Sequence, residues 1–424
     1  MNYCSRCTVA VLAALGIMLV FAGQALAIPA FARQNKAECS TCHTIYPTLN
    51  EFGEAFRKNS FVWPGKPKGS EEQDAASARR NEAMQLSGIP ELIPISFKAS
   101  LDVSYNPSPT DPSQQNKLDL ATRSLQLQAG GAFRELAGFY VIYNAYTEGP
   151  PKSTNTGDIP AGNKSDIQEV FLQWRHSLGT PLNLKVGRFE PTLTLWKTTN
   201  RLTVADLATQ VYKVGFSPFA VGDPQDAIEL NSLIGPRVFA AGGMVNRKNQ
   251  NTKEGYGHLS CRLGGTDFMG HEPQIDLDRD SIWDYLTVTL GGYGYFGRNM
   301  DPAIGSFNND YYRAGADADL LYKRLRLRFS GVWGRDNAPN YATRNIAHSQ
   351  AITGEAQYLL GSPVNLIGLF RYEYLDNVTN ITRSYIPSIV FAPIQNVKLT
   401  LEYQHRDRPV NAERIGLMGA SFSF

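Results

Sequence analysis

Cys39, Cys42 and His43 stand close together in the run AECSTCHTIYPTLNEFGEAF, residues 37–56. C-x-x-C-H is the attachment pattern of a c-type haem. Two thiols a helical turn apart reach the two vinyl groups on one porphyrin edge, and the adjacent imidazole points at the iron as proximal ligand. The motif therefore implies one covalently attached haem c, with Cys39 and Cys42 as its tethers and His43 as a metal ligand. The competing reading is an exposed dithiol. The scarcity of cysteine in the chain and the export signal ahead of the motif weigh against it.

Such a group needs an apolar cover that excludes water and tunes its potential. Thr48 and Glu51 have the T-x-x-E spacing of a capping box, and Phe52, Ala55 and Phe56 follow at i, i+3 and i+4. A short helix is expected there, with Phe52 and Phe56 against the porphyrin; Phe61 and Trp63 come soon after. The sixth ligand stays open. Met84, the one methionine between residues 28 and 90, lies 41 residues after His43 and resembles the late methionine of small class I cytochromes. The alternatives are a histidine further along the chain (His176, His258, His271, His348 or His405) or an open position.

These residues need positioning elements, and the rest of the 424-residue chain supplies them in an unusual form. Residues 1–27 read as a signal peptide: one early positive charge at Arg6, an apolar run, and an A-x-A site at Ala25–Ala27. Cys4 and Cys7 are removed with it, and Cys261 is expected to be a packed side chain. Residues 28–63 form the front cytochrome domain, and 64–90, rich in Pro, Gly, Ser and charge, form a linker that could complete the haem pocket. Elsewhere no run is apolar enough for a membrane-spanning helix. The formal net charge of +2 gives no field toward nucleic acid, which is not an expected partner.

From residue 91 to 424 the chain alternates. In ISFKASLDVSYN, residues 95–106, Ile95, Phe97, Leu101, Val103 and Tyr105 share one face and Lys98, Asp102 and Asn106 the other. In residues 312–322, Tyr312 and Tyr322 bracket an apolar face ten residues long. At roughly 3.4 Å per residue and a tilt of about 40° that face is about 26 Å tall, close to the apolar band of an outer-membrane barrel with its aromatic girdles. About sixteen such segments follow one another. Tight turns such as IGP, KR and QN alternate with long polar loops at 149–164, 191–225, 298–309 and 337–349. One long connection, 265–283, falls on the side of the tight turns, against that rhythm. The chain ends in GLMGASFSF, and a terminal aromatic, Phe424, on an alternating strand resembles the recognition signal for the barrel-assembly machinery. The fold expected is mainly β: an antiparallel transmembrane barrel of about sixteen strands, preceded by a small α-helical c-type cytochrome domain.

The inward faces carry Lys98, Asp102, Arg313, Asp317, Asp319, Arg326, Arg328, Lys398 and Glu402, as a solvated lumen requires. No phosphate loop, Ser-His-Asp set or HExxH run occurs, and the acidic tract DLDRD at 276–280 reads as a solvated loop.

The stretch FARQNKAECSTCHTIYPTLNEFGEAFRKN, with its Ala-Arg lead-in, C-x-x-C-H, Pro47, Leu-Asn pair and Phe-Gly-x-x-Phe, resembles the fused monohaem cytochrome–porins of the bacterial outer membrane, whose best-known members are iron oxidases. In the rest of the chain the resemblance is architectural. It implies an outer-membrane electron-transfer protein, set among outer-membrane lipid, that moves electrons between an extracellular donor or acceptor, chiefly iron in Fe(II) oxidation, and a periplasmic c-type cytochrome or other redox carrier. A barrel of sixteen strands can leave an aqueous lumen. The front domain is therefore expected inside its own barrel or at the periplasmic mouth. The alternatives are a porin channel with a haem-bearing plug or sensor, an outward conduit to metal oxides, and a haem peroxidase.

Overall fold

A strand that alternates apolar and polar side chains shows one face to each of two media, and sixteen of them in a row can satisfy all their backbone groups only by closing on themselves. The computed structural model describes residues 30–35, 37–64, 95–108, 115–133, 136–147, 165–247, 252–273, 281–361, 365–409 and 411–423. The signal peptide, Met84, residues 65–90 of the linker, the acidic tract 276–280 and Phe424 lie outside the described residues.

The front segment holds α1 (Ala30–Asn35), a 3-10 turn at Cys39–Thr41, a two-strand ladder of β1 (His43–Ile45) and β2 (Thr48–Leu49), and α2 (Glu51–Lys58). Its two helices are short, and between them lies a turn and ladder rather than continuous helix. Then come β3 (Ile95–Ser108), β4 (Lys117–Phe133), β5 (Ala137–Thr147), β6 (Asp166–Trp174), β7 (Asn183–Phe189), β8 (Gln225–Ile234), β9 (Val238–Asn246) and β10 (Lys253–Leu263). The circle continues through β11 (Leu286–Asn299), β12 (Asn309–Tyr322), β13 (Leu325–Asp336), β14 (Ala347–Leu359), β15 (Leu366–Asp376), β16 (Ile381–Ile394), β17 (Val397–Asp407) and β18 (Ala412–Ser423). Among the described residues these sixteen strands form one closed antiparallel barrel. The seam joins β18 to β3 with Met418 opposite Val103 and Phe422 opposite Ala99. Every segment expected from alternation is a strand, with ends moved by a few residues.

The two faces separate as the pattern requires. On β13, Leu327, Phe329 and Trp333 are exposed on the outside, while Arg328, Ser330 and Val332 are buried inside. On β12, Tyr312 is exposed and Arg313 and Asp317 are buried. The outer face is an apolar belt suited to lipid.

One end carries the tight turns 235–237, 323–324 and 395–396 and the short step from β4 to β5; most long connections gather at the other. Two connections at the long-loop end, 377–380 and 408–411, are as short as turns. The long connection 190–224 between β7 and β8 does not stay outside. It folds into the lumen and carries α3 (Ala208–Val211), with Leu193, Leu202 and Val214 buried. Wall carboxylates hold its backbone N–H groups: Glu402 accepts from Val204 at 2.7 Å, Glu373 from Ala208 at 3.0 Å and Asp317 from Leu195 at 3.3 Å. The inward acids and bases are therefore not simply solvated; several anchor this loop.

The anomalous connection between β10 and β11 ends in α4 (Ile282–Tyr285). Its Phe268 is buried and turned toward the lumen segment described next.

Candidate functional site in the barrel lumen

The motif sits in the 3-10 turn, closed by the Cys42 N–H donating to the Cys39 carbonyl at 3.2 Å. Residues three apart eclipse in a 3-10 turn, so both thiols lie on one side of the chain. Cys39, Cys42 and His43 line a single cavity. Both cysteines are free and half-buried. Burial raises both thiols, Cys42 to about 11 with Cys39 beside it, so both are protonated at neutral pH. His43 opens β1 opposite Leu49. Burial lowers its imidazole to about 4, which keeps it neutral, the form that ligates iron. Its Nδ1 is sealed from solvent with no hydrogen-bond partner.

Asn50 holds this turn in place. Its Nδ2 donates to the carbonyls of Ser40 (3.1 Å) and Thr41 (3.0 Å), and its Oδ1 accepts from the Gly53 N–H (2.9 Å). That last bond makes Asn50 the N-cap of α2. The expected Thr48–Glu51 capping box is therefore not formed: Thr48 is taken into β2, and its hydroxyl faces the Asn200 carbonyl at 3.4 Å. Gly53 explains the glycine of Phe-Gly-x-x-Phe. A Cβ there would lie 2.2 Å from the Cys42 carbonyl oxygen, so only glycine lets α2 pack onto the cysteine turn.

An aromatic cluster walls the cavity. Phe31 lies 5.2 Å from Phe56 and 5.1 Å from Phe61 between ring centroids, and Phe61 lies 5.6 Å from Tyr140 of β5. Phe56 lines the cavity as expected. Phe52 is not among the lining residues; it packs 5.0 Å from Trp63, which is. Alternation and motif reading missed Asn50, Phe31 and the barrel residues Tyr140, Phe171, Lys185 and Glu229. The signal for Asn50 was its type and place, immediately before the helical stripe.

The front segment is a plug within the lumen, against the tight-turn end. The Cys39 N–H donates to Gln395 Oε1 in the 395–396 turn at 3.0 Å. Arg326 Nη1, just past the 323–324 turn, donates to the Leu49 carbonyl at 3.0 Å. A Cβ on Gly138, just past the short step from β4 to β5, would sit 1.9 Å from the Ser60 carbonyl oxygen, so the wall is bare where the plug presses on it. The anomalous β10–β11 connection clasps the plug. Asn59 Nδ2 donates to the Phe268 carbonyl at 2.8 Å, and Lys58 Nζ lies 4.0 Å and 4.9 Å from the Phe239 and Phe268 ring centroids. From the other end the infolded loop meets the plug, with Arg57 Nη2 donating to the Leu195 carbonyl at 3.3 Å.

The donor set fits a c-type haem. Two thiols share one face, a neutral imidazole carries an unpartnered nitrogen, aromatic rings exclude water, and the cations Arg57, Lys58, Lys98, Lys185 and Lys197 border the same space. Of the barrel histidines, His258 is buried on the inner face of β10, its Nδ1 2.6 Å from the Leu193 carbonyl and its Nε2 without a partner. It does not line the Cys39 cavity. His176, His271 and His348 are exposed, and His405 pairs with Asp407 at 2.9 Å.

Fold and site together define a class: a plugged, sixteen-strand barrel of the outer-membrane porin type. Comparison with solved structures shows likeness in the barrel fold. The anion-selective porin from Comamonas acidovorans matches with a TM-score of 0.56 at 10% identity over 78% of this chain and 99% of its own. OprB of Pseudomonas putida matches with a TM-score of 0.49 at 9% identity over 82% of this chain and 97% of its own. No protein-family model matches the chain, and no curated protein matches it. The likeness is one of fold; a barrel of this kind, apolar outside and closed on itself, belongs in the bacterial outer membrane among lipid.

Proposed function

We propose that this chain is an outer-membrane electron-transfer protein whose lumenal plug carries one c-type haem, and that it moves electrons between extracellular iron and a periplasmic carrier. The observation that carries the reading is the gathering of Cys39, Cys42 and His43 on one aromatic-walled cavity inside the barrel. A haem held there supplies one-electron Fe(III)/Fe(II) chemistry. The chain's own residues do the rest. Cys39 and Cys42 tether the group, His43 offers a neutral nitrogen to the iron, and Asn50 and Gly53 fix the turn that bears all three. Phe31, Phe56, Phe61 and Tyr140 keep water from the site, and the surrounding wall holds it inside the lumen at the tight-turn end.

A second reading, a porin channel whose haem-bearing plug only gates or senses, is favoured by a polar cavity of about 360 Å³ left beside the plug and by the porin fold. One pair of measurements separates the two. Fe(II) added to the purified protein reduces the haem if the first reading holds, and planar bilayers then show little conductance. Open conductance with a haem that Fe(II) and soluble c-type cytochromes leave unchanged would replace it with the second. Purified protein without covalently bound haem would refute both.

A further inference from the structure

The 360 Å³ cavity shares Pro47 and Lys98 with the plug cavity. Five cations line it, Lys98, Arg123, Arg201, Lys398 and Arg406, against two carboxylates, Asp102 and Asp206. Both carboxylates are already committed: Asp102 to Arg123 at 2.5 Å, and Asp206 to Arg201 at 2.8 Å. Arg406 faces Glu413 at 3.7 Å. Lys398 is nine-tenths buried, and its Nζ reaches backbone carbonyls, those of Leu202 at 3.0 Å and Arg201 at 3.4 Å. The nearby Glu402 has both oxygens on the infolded loop, accepting from the Val204 and Ala205 N–H groups. Lys98 Nζ stands 5.8 Å from the Tyr46 ring centroid. Among the described residues neither Lys98 nor Lys398 is ion-paired with a carboxylate, and the two like charges share this space. Four donor atoms of lining residues, Thr147 Oγ1, Arg201 Nε, Arg406 Nη1 and Ser421 Oγ, are buried without hydrogen-bond partners.

Like charges crowded in a partly desolvated space, with idle donors beside them, are stabilised by an anion placed among them. Ammonium, guanidinium and hydroxyl donors together suit a carboxylate or phosphate group. We propose that this cavity is an oxyanion site, closed around its ligand by Lys98 and Lys398, with the idle Nε of Arg201 beside them. The ligand has two sources of the same chemistry. One is a free anion in the lumen. The other, which rests on the haem reading above, is a carboxylate arm of the group tethered in the adjoining cavity, reached through the shared Lys98.

The test uses the full-length protein in detergent, in its haem-loaded form and as the Cys39→Ser/Cys42→Ser variant. Inorganic phosphate and succinate are titrated by calorimetry at fixed ionic strength. The unloaded variant is expected to bind both saturably, and Lys98→Gln/Lys398→Gln on that background to weaken binding tenfold or more. Lys98→Arg/Lys398→Arg should restore it. Equal binding by the loaded form assigns the site to free anions, and binding lost on loading assigns it to carboxylate arms; both support the shared chemistry. No saturable binding by the unloaded form, or binding unchanged by Lys98→Gln/Lys398→Gln, overturns the proposal and leaves a water-filled cavity. Lys398→Gln alone serves if the double variant does not assemble a heat-modifiable barrel. A chain found to carry no haem would end the haem reading while leaving the unloaded arm intact.

Discussion

Replacing Asn50 with alanine should loosen the plug without loosening the barrel. The side chain makes three hydrogen bonds: the α2 N-cap from Gly53 and two donations to the cysteine turn. Loss of an N-cap costs about 1 kcal/mol, and each of the other two, being partly exposed, contributes at the low end of about 0.5–1.5 kcal/mol. Together the plug loses about 2 kcal/mol, which raises its local opening constant ~30-fold. None of these bonds reaches the β3–β18 ladder, so the barrel should keep its heat-modifiable mobility and slow amide exchange. Hydrogen exchange followed by peptide mass spectrometry reads both at once: peptides covering 39–59 should exchange faster by that factor, and those from β12 and β13 should not change. Asn50→Asp keeps the cap oxygen but loses both Nδ2 donors, and should fall between. Unchanged exchange in 39–59, or equal acceleration across barrel strands, would refute the claim that Asn50 fastens the turn and that plug and wall open separately.

Gly53→Val puts carbon where the Cys42 carbonyl stands; covalent haem yield, read by the haem stain of a denaturing gel, should drop severely while the barrel still forms. Cys39→Ser/Cys42→Ser should abolish covalent haem and leave barrel mobility unchanged, and full staining in that variant would contradict the assignment. Burial, with Arg57 adding, lowers the Lys58 ammonium to about 7, opposed by Glu54 and Glu229 and aided by Arg262. Above pH 7 the unfolded segment holds a proton the plug does not, so plug stability should rise from pH 7 toward 10. Lys58→Met should flatten that rise in protease-nicking rates of 30–64, and an unaltered slope would count against it.

The barrel was legible because a bilayer and a lumen impose period two on every strand. Tyr312, Ala314 and Ala316 look outward and Arg313 and Asp317 inward, and the same rule located all sixteen strands to within a few residues. The candidate motif of Cys39, Cys42 and His43 was legible because thiol and imidazole chemistry demands a fixed spacing. What escaped depends on contacts far apart in sequence. Residues 191–225 read as a long polar loop, since nothing local reveals that Glu402, Glu373 and Asp317 would draw their N–H groups inward. Thr48 and Asn50 both have N-cap chemistry, and the choice fell to Asn50 once Thr48 was needed to pair β2 with β1. The connection 265–283 was flagged by its length alone; its reason is Phe268, which meets Lys58 and Asn59 of the plug.

The position of Cys39 against the 395–396 turn has a consequence for biogenesis. The plug is made first, yet it packs against β16, the 395–396 turn and β18, which are made last. A closed barrel takes in its plug either by closing around it or through the tight-turn end, where the plug sits. By either route Cys39 and Cys42 finish half-buried against the wall. Any group tethered to them is reached most easily before the plug is seated, so seating and attachment compete in time.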